Sequence, residues 1–490
     1  ARSLASIKLA AIASLIGLTA GSGAILFWIS VEQIQHLLFG ASSQDLFSAA
    51  SRLPWWQLLL WPTVGGLAIG LFIHRFVPQR RPHGVSDAIE AGALRGGYMS
   101  LQNGFSAALV SAASIGVGAS VGREGPIVHF GASLGSWIAR VAQIPQGQVR
   151  RLLGCGVAAG IAASFNAPIA GAVFAIEVVV GKYTLHNFAP IALSTVIGTS
   201  VSRLYYGTDP AFIIPAHPVT SFAEIPVYAL LGIVSAGIAI LFLLCISATQ
   251  ATFDKLRCPV PIRPAVAGLA VGGLAVFTPQ ILGVGYETTN AALNESLPLT
   301  LLMTLLVTKL LAAGISLGSG FGGGIFSPSI FLGAMSGGVC GTVWGSLFNS
   351  ATGGYSAYTM VGMGAVAGAV LGAPLSTTLI VFEMTGDYPL TLAVLIGVIM
   401  SSILVNDVWG RTFFQWQLQQ RGIDLTTGHA ERLCMQLQMI DLMSTDMTIL
   451  PATATTVEIT AALQKGVPIY VRGEDGTTFS GAISFADLYR

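Results

Sequence analysis

Gly122-Arg123-Glu124-Gly125-Pro126 interrupts an otherwise apolar part of the chain with two ionisable side chains and a proline. A charged side chain at membrane depth costs roughly 2.5–3.5 kcal/mol on insertion scales, so an ionisable residue there marks function. The glycines let the backbone approach a ligand closely, and Pro126 suits the first turn of a helix, where its missing N–H forfeits no bond. Such a helix start presents unpaired N–H groups and the positive end of the helix dipole, which together bind an anion. Glu124 can itself be that anion. A tethered carboxylate that fills an anion site when ionised, and leaves when protonated or displaced, is a gate. The plain alternative is a glutamate paired with Arg123 to cap a helix.

Composition places this stretch in lipid. Of 490 residues 53% are hydrophobic and 9% charged, with mean hydropathy +0.73, against roughly 25% charged in a soluble domain. A water-soluble globule is excluded, and too little polar chain remains for a soluble head on one anchor. Apolar runs at 9–30, 54–73, 104–121, 152–180, 187–202, 224–248, 264–282, 297–317, 325–347, 357–382 and 388–406 allow about a dozen hydrophobic segments at roughly 20 residues per crossing. The expected fold class is an all-α polytopic membrane protein. The first run follows Arg2 and Lys8 but is too long for a signal-peptide core, and reads as a retained helix. The first residue is not Met, so a trimmed start is expected. Arg75, Arg80 and Arg81 mark a candidate cytoplasmic side, with Arg140, Arg150 and Arg151 less decisive. A net charge of +1 excludes a nucleic-acid binder. Cys155, Cys245, Cys258, Cys340 and Cys434 have neither CxxC spacing nor a partner His, so they read as packing residues, with no disulfide framework and no metal site.

The chain repeats itself. Phe165-Asn166-Ala167-Pro168 leads to Glu177, and Leu371-Gly372-Ala373-Pro374 leads to Glu383, by the same Ala-to-Glu interval (177 − 167 = 383 − 373 = 10). The breaks Gly125-Pro126 and Ser327-Pro328 precede them at nearly the same offset (328 − 126 = 202; 374 − 168 = 206). Matched Gly/Pro interruptions in two halves point to a midplane site made of half-helix ends. In Gly322-Gly323-Gly324-Ile325-Phe326-Ser327-Pro328, three glycines before a helix-starting proline leave the Ile325 and Phe326 amides free to face a ligand. After about Phe414 the character changes. The alternation Ile469-Tyr470-Val471 and the turn residues Gly473-Glu474-Asp475-Gly476 read as a small α/β segment in water.

With these motifs the sequence resembles the CLC family of chloride channels and chloride/proton exchangers, in a bacterial branch. The family's signatures GREGP and GxFxP stand at Gly122 to Pro126 and Gly324 to Pro328. The likeness extends through Phe165 to Pro168, Glu383-Met384-Thr385 and the tail around Met443-Ser444. It implies a CLC-type fold of two inverted-topology halves, about 54–204 and 224–409, within a membrane domain 1–425. Their broken helices meet at a central anion site. It also implies a homodimer with one pore per subunit, and chloride held at helix N-termini without full positive charges. Glu124 is then the gating glutamate, and His83, Gly84, Val85, Arg123, Gly125, Gly324, Ile325, Phe326 and Phe414 the anion-binding positions.

Three positions depart from the family's pattern. The first signature aligns with Pro82-His83-Gly84-Val85-Ser86, so His83 replaces a serine whose hydroxyl touches the central anion. A histidine near its unperturbed pKa of about 6.5 would make conduction pH-sensitive, unless the ring turns away and only the backbone contributes. A tyrosine that supplies a second hydroxyl aligns with Phe414 in Gly410-Arg411-Thr412-Phe413-Phe414, a register supported by Leu418 and Arg421-Gly422; a one-residue slip only substitutes Phe413. The inner proton-passing glutamate of exchangers aligns with Val178, directly after Glu177. An apolar side chain relays no proton, which favours a voltage-gated channel conducting chloride and other small anions. The alternative is a chloride/proton antiporter lacking the usual inner glutamate. Residues 426–490 resemble a single CBS motif from Asp441-Leu442-Met443-Ser444 through Gly481-Ala482-Ile483-Ser484 to Asp487-Leu488. Truncation, degeneration and a dimerisation role stay open, and adenine nucleotide binding is not expected.

An enzyme is not expected: HExxH, GxSG and P-loop motifs are absent. The break motifs offer backbone amides where an organic-solute carrier needs a larger polar and aromatic pocket, and the GREGP proline disfavours the fluoride-exporting branch. No cofactor is implied, chloride being the transported ligand and protons a possible second one. The expected location is a bacterial inner membrane, multi-pass, with a cytoplasmic tail.

Overall fold

The computed structural model describes residues 2–181, 183–207, 224–347, 354–424 and, in the tail, 448–451, 453–463, 469–473 and 479–483. The chain divides into two compact units, Ala1–Asp424 and Leu425–Arg490. In chain order the first carries α1 (Arg2–Phe39), α2 (Leu46–Ala50), α3 (Trp55–Phe76), α4 (Val85–Leu94), α5 (Leu101–Gly116), α6 (Glu124–Val141), α7 (Gln146–Phe165) and α8 (Pro168–Phe174). After α8 the chain widens into a π-helical stretch, Ala175–Val180. There follow α9 (Leu185–Tyr206), α10 (Ile225–Lys255), α11 (Arg263–Phe277), α12 (Tyr286–Leu293), α13 (Leu299–Ser319) and α14 (Phe326–Leu347). The unit ends with α15 (Tyr355–Leu371), α16 (Pro374–Thr385), α17 (Tyr388–Trp409) and α18 (Phe413–Gln419). Six stretches of described helix are long and apolar enough to cross a membrane.

Two apolar runs that read as continuous, 152–180 and 357–382, are each broken. Asn166 (φ 57°) ends α7 and Gly372 (φ 67°) ends α15, both in the left-handed region that closes a helix, and two residues later Pro168 and Pro374 start the next. The triplets Asn-Ala-Pro and Gly-Ala-Pro are therefore stop-and-restart signals.

Side-chain and backbone contacts repeat at the two sequence offsets. A Cβ added at Gly66 would meet the Pro264 carbonyl oxygen at 2.3 Å, and one at Gly268 would meet that of Pro62 at 2.0 Å. Both pairs are related by 202 residues (268 − 66 = 264 − 62 = 202), so α3 and α11 make one contact twice, in opposite senses. Gly122 and Gly324, again 202 apart (324 − 122 = 202), exchange N–H···O bonds of 2.7 and 2.6 Å in an antiparallel bridge. Equivalent residues paired antiparallel lie on a two-fold axis, here a pseudo-axis between the two inverted halves expected from the sequence.

The same relation governs the inner packing. The α6–α7 pair closes over Gly131 and Gly156, and α14–α15 over Gly333 and Gly362. A Cβ at Gly156 would lie 1.9 Å from the Gly131 oxygen, and one at Gly333 would lie 2.3 Å from that of Gly362. Lipid supplies no hydrophobic drive between helices, so such backbone approach supplies dispersion contact instead.

The recurring glutamates also find their reason. The Glu177 carboxylate accepts the N–H groups of Leu375 (3.1 Å) and Ser376 (2.8 Å) at the start of α16. Glu383 accepts those of Ile169 (2.9 Å) and Ala170 (2.7 Å) at the start of α8. Each half caps a helix of the other, a charge-assisted arrangement favoured by the helix dipole.

In the tail unit β1 (Thr448–Pro451) pairs parallel with β2 (Ile469–Arg472), which pairs antiparallel with β3 (Phe479–Ile483). Between β1 and β2 lies α19 (Thr456–Leu463). The predicted alternation at Ile469-Tyr470-Val471 is β2, and Gly481-Ala482-Ile483 falls in β3. Asp441 to Ser444, Glu474 to Gly476, Ser484, Asp487 and Leu488 lie outside the described residues, as does Cys434. The four described cysteines are free, Cys155 being buried.

Candidate anion site

Four helices begin at one cavity of about 70 Å³. Val85 opens α4, Glu124 opens α6, Phe326 opens α14 and Phe413 opens α18, and all four residues line it. The positive dipole ends of four helices thus meet at a common space, with room for more than one water-sized body. His83, Gly84, Gly125, Gly324, Ile325 and Phe414 complete the predicted positions that line it, together with Gln417 and Arg421.

Glu124 is 4% exposed, and its carboxylate is already engaged. Oε1 accepts the Ser327 backbone N–H at 2.9 Å and Oε2 the Ser327 hydroxyl at 2.7 Å. A carboxylate here stands where a free anion would be held, at the start of α14. Glycine is required alongside: a Cβ on Gly324 would lie 2.6 Å from Glu124 Oε1 and 2.7 Å from the Gly125 nitrogen.

Arg123 is not among the lining residues, nor does it form an ion pair with Glu124. Its guanidinium lies over the Trp28 ring (3.9 Å to the centroid) and near that of Tyr286 (4.8 Å), and it donates to the Ser164 carbonyl at 2.7 Å. Cation–π contacts and a carbonyl carry the charge in this dry setting. Val178 is half-buried in the π-helical stretch and is not among the lining residues.

His83 lines the cavity with Nδ1 at 3.4 Å from Asp87 Oδ1. Asp87 also accepts the Gly84 N–H at 2.8 Å and pairs with Arg81 (2.6 Å) and Arg421 (3.0 Å). Both Phe413 and Phe414 line the cavity, at 5% exposure each, so either register leaves the site without a hydroxyl there. Phe414→Tyr is expected to tighten chloride binding about 2- to 10-fold, a neutral hydrogen bond being worth about 0.5–1.5 kcal/mol net. Calorimetric titration with chloride checks it, and an unchanged affinity would place the ring's edge elsewhere.

Ser327 escaped the sequence reading, because it is the unspecified position between Phe326 and Pro328. Only its place opposite Glu124 across two chain segments reveals it. Ser327→Ala removes one of the two donors holding the carboxylate. Chloride should then displace Glu124 more readily, with apparent affinity rising about tenfold for a lost hydrogen bond to a charged group of about 1.5 kcal/mol. An unaltered chloride dependence of flux would contradict this.

A family model described as "Voltage gated chloride channel" matches residues 65–406. The chain is 36% identical over 403 residues to a putative chloride channel protein ClcB-like of Ralstonia nicotianae, covering 81% of this chain and 93% of that one. It is 32% identical over 403 residues to the voltage-gated ClC-type chloride channel ClcB of Escherichia coli, covering 80% and 94%. Among solved structures, a slow cyanobacterial Cl−/H+ antiporter shares the fold at TM-score 0.75 and 21% identity, covering 84% of this chain and 97% of that one. A CLC-type fluoride/proton antiporter follows at TM-score 0.70 and 21% identity, covering 84% and 98%. With two curated relatives above 30% identity along four-fifths of its length, and the family model spanning most of its membrane unit, the chain belongs to the CLC family of anion transport proteins, in its ClcB-like branch, and is not an enzyme.

Proposed function

We propose that the protein conducts chloride, and other small anions, through the cavity where α4, α6, α14 and α18 begin, as a voltage-gated channel with Glu124 as its gate. The observation that carries this reading is the Glu124 carboxylate bound by both donors of Ser327 at the start of α14. An ion entering the cavity must compete with it, and membrane voltage acts on the charge of either. The apolar Val178, where exchangers of this family carry a carboxylate, supports a channel. The other reading, a chloride/proton antiporter, draws on His83 in the cavity wall and on the antiporters that share the fold.

The deciding measurement is the reversal potential of purified protein in a planar bilayer under a fixed chloride gradient, with and without an opposing pH gradient. A channel holds the chloride Nernst potential regardless of pH; a coupled antiporter shifts with the proton gradient. The protein is further proposed to be a homodimer with one pore per subunit in a bacterial inner membrane. Its tail, proposed to be cytoplasmic, resembles one CBS motif and is not expected to bind adenine nucleotide.

A further inference from the structure

Arg123 and Glu124 are neighbours in sequence, carry opposite charges and are both buried, yet the guanidinium lies against the rings of Trp28 and Tyr286 and the carboxylate against Ser327. Tyr286 adjoins both sides. It opens α12, its ring centroid is 4.8 Å from Arg123 Cζ, and with Ser327 it lines a second cavity of about 10 Å³. Arg123 and Ser327 are the hydrogen-bonding neighbours of its side chain. The segment that delivers this tyrosine is fixed. Lys309, buried on α13, donates to the carbonyls of Ile281 and Gly283 at 2.9 Å each, and the next residue along, Glu287, accepts the Ser48 N–H at 3.1 Å. A ring packed there at 8% exposure has little freedom to turn.

The chemistry of the groups sets the direction of a link through them. A guanidinium only donates, an ionised carboxylate only accepts, and a hydroxyl does both. A chain from Arg123 to Glu124 therefore runs one way: Tyr286 Oη accepts from Arg123 and donates to Ser327 Oγ, whose own proton goes to Glu124 Oε2, 2.7 Å away. A helical serine left to itself turns its proton back to a carbonyl of the preceding turn. On the same helix Ser329 does so to Ile325 (2.8 Å) and Ser336 to Gly333 (3.0 Å), while Ser327 donates to the carboxylate. A tyrosine O–H on one lone pair of Ser327 favours that orientation, and a charge at each end of the chain strengthens every bond in it.

We propose that Tyr286 is a positioning residue of the gate: it accepts a hydrogen bond from Arg123, donates one to Ser327, and so holds the Ser327 proton on Glu124. The two opposite charges of the Gly122 to Pro126 motif are then coupled through two hydroxyls in place of an ion pair, and the buried cation tightens the hold on the ionised carboxylate without touching it. The inference rests on the reading of Glu124 as the gate.

The test is the chloride dependence of flux through full-length protein in liposomes, for single and double variants. Tyr286→Phe keeps the ring against Arg123 and drops only the hydroxyl; Tyr286→Leu is the second variant should the first not fold. Loss of the hydroxyl should raise the apparent chloride affinity by about 2- to 10-fold, the range for one neutral hydrogen bond. Because the tyrosine acts through Ser327, adding its substitution to Ser327→Ala should leave the shift of Ser327→Ala unchanged, whereas a residue that merely supports the fold would add its own effect. An unshifted or lowered affinity in Tyr286→Phe overturns the proposal, and so do shifts that multiply in the double variant. In the Glu124→Ala background Tyr286→Phe should change nothing; a shift there as large as in the parent means that the tyrosine does not act through the gate, and the proposal falls. If Glu124→Ala alone keeps the parent's chloride dependence, the gate reading itself fails, and this inference with it.

Discussion

Glu124→Ala is expected to raise chloride flux at neutral pH by at least about tenfold and, at saturating chloride, to remove the pH and voltage dependence of its gating. The magnitude comes from the two hydrogen bonds that Ser327 donates to the carboxylate, since one hydrogen bond to a charged group is worth about 1.5–3 kcal/mol. With the carboxylate gone, the amides at the start of α14 are open to chloride, and nothing tethered has to leave first. Any proton coupling through this residue ends with it. Glu124→Gln keeps the shape but loses the charge, so it should share the lost pH dependence with a smaller gain in flux. Efflux from liposomes loaded with saturating chloride at acid, neutral and alkaline pH, under an imposed potential, makes the comparison. Parent-like pH and voltage dependence in the alanine variant would sink the gate assignment.

The second large effect concerns stability. Gly156→Ala places a methyl group 1.9 Å from the Gly131 oxygen on the facing helix, and the obstacle is backbone, which no rotamer change relieves. Overpacking of this kind costs about 1–3 kcal/mol and more when the backbone must shift. Gly333→Ala, at 2.3 Å from the Gly362 oxygen, should behave alike. Gly237→Ala on α10 is the control, because a Cβ there meets nothing within 4 Å; helix propensity alone should leave it neutral or stabilised by up to about 1 kcal/mol. Melting temperatures in detergent separate the three, and an unshifted Gly156→Ala would mean that α6 and α7 are not in such close approach.

Much of this was legible because broken helices need particular residues at particular places. The two ends of the first motif illustrate the point: Gly122 pairs with Gly324 across the pseudo-axis, and Pro126 sits in the first turn of α6. The offsets of 202 and 206 between matched breaks were readable for the same reason, and the first recurs in the glycine contacts between α3 and α11. Arg123 was not legible. Next to Glu124 it invites an ion pair or an anion contact, yet its partners are rings contributed by Trp28 on α1 and Tyr286 on α12, far away in sequence. His129 gave no signal either, as one histidine on an apolar helix, until the fold set His83, just ahead of α4, against its face. The equal Ala-to-Glu intervals were visible as a repeat, but the cause, a carboxylate reaching the opposite half, exists only in three dimensions.

That exchange of caps has a consequence for how the chain is made. The amides at the start of α8 emerge early in synthesis, and the carboxylate that satisfies them, Glu383, is made more than two hundred residues later (383 − 170 = 213). Glu177 likewise waits for Leu375 and Ser376. Neither half can therefore reach its finished form before the other is inserted, and contacts so distant in sequence close slowly. The last stage of assembly is a mutual one, in which both short helices acquire their ends at the same moment.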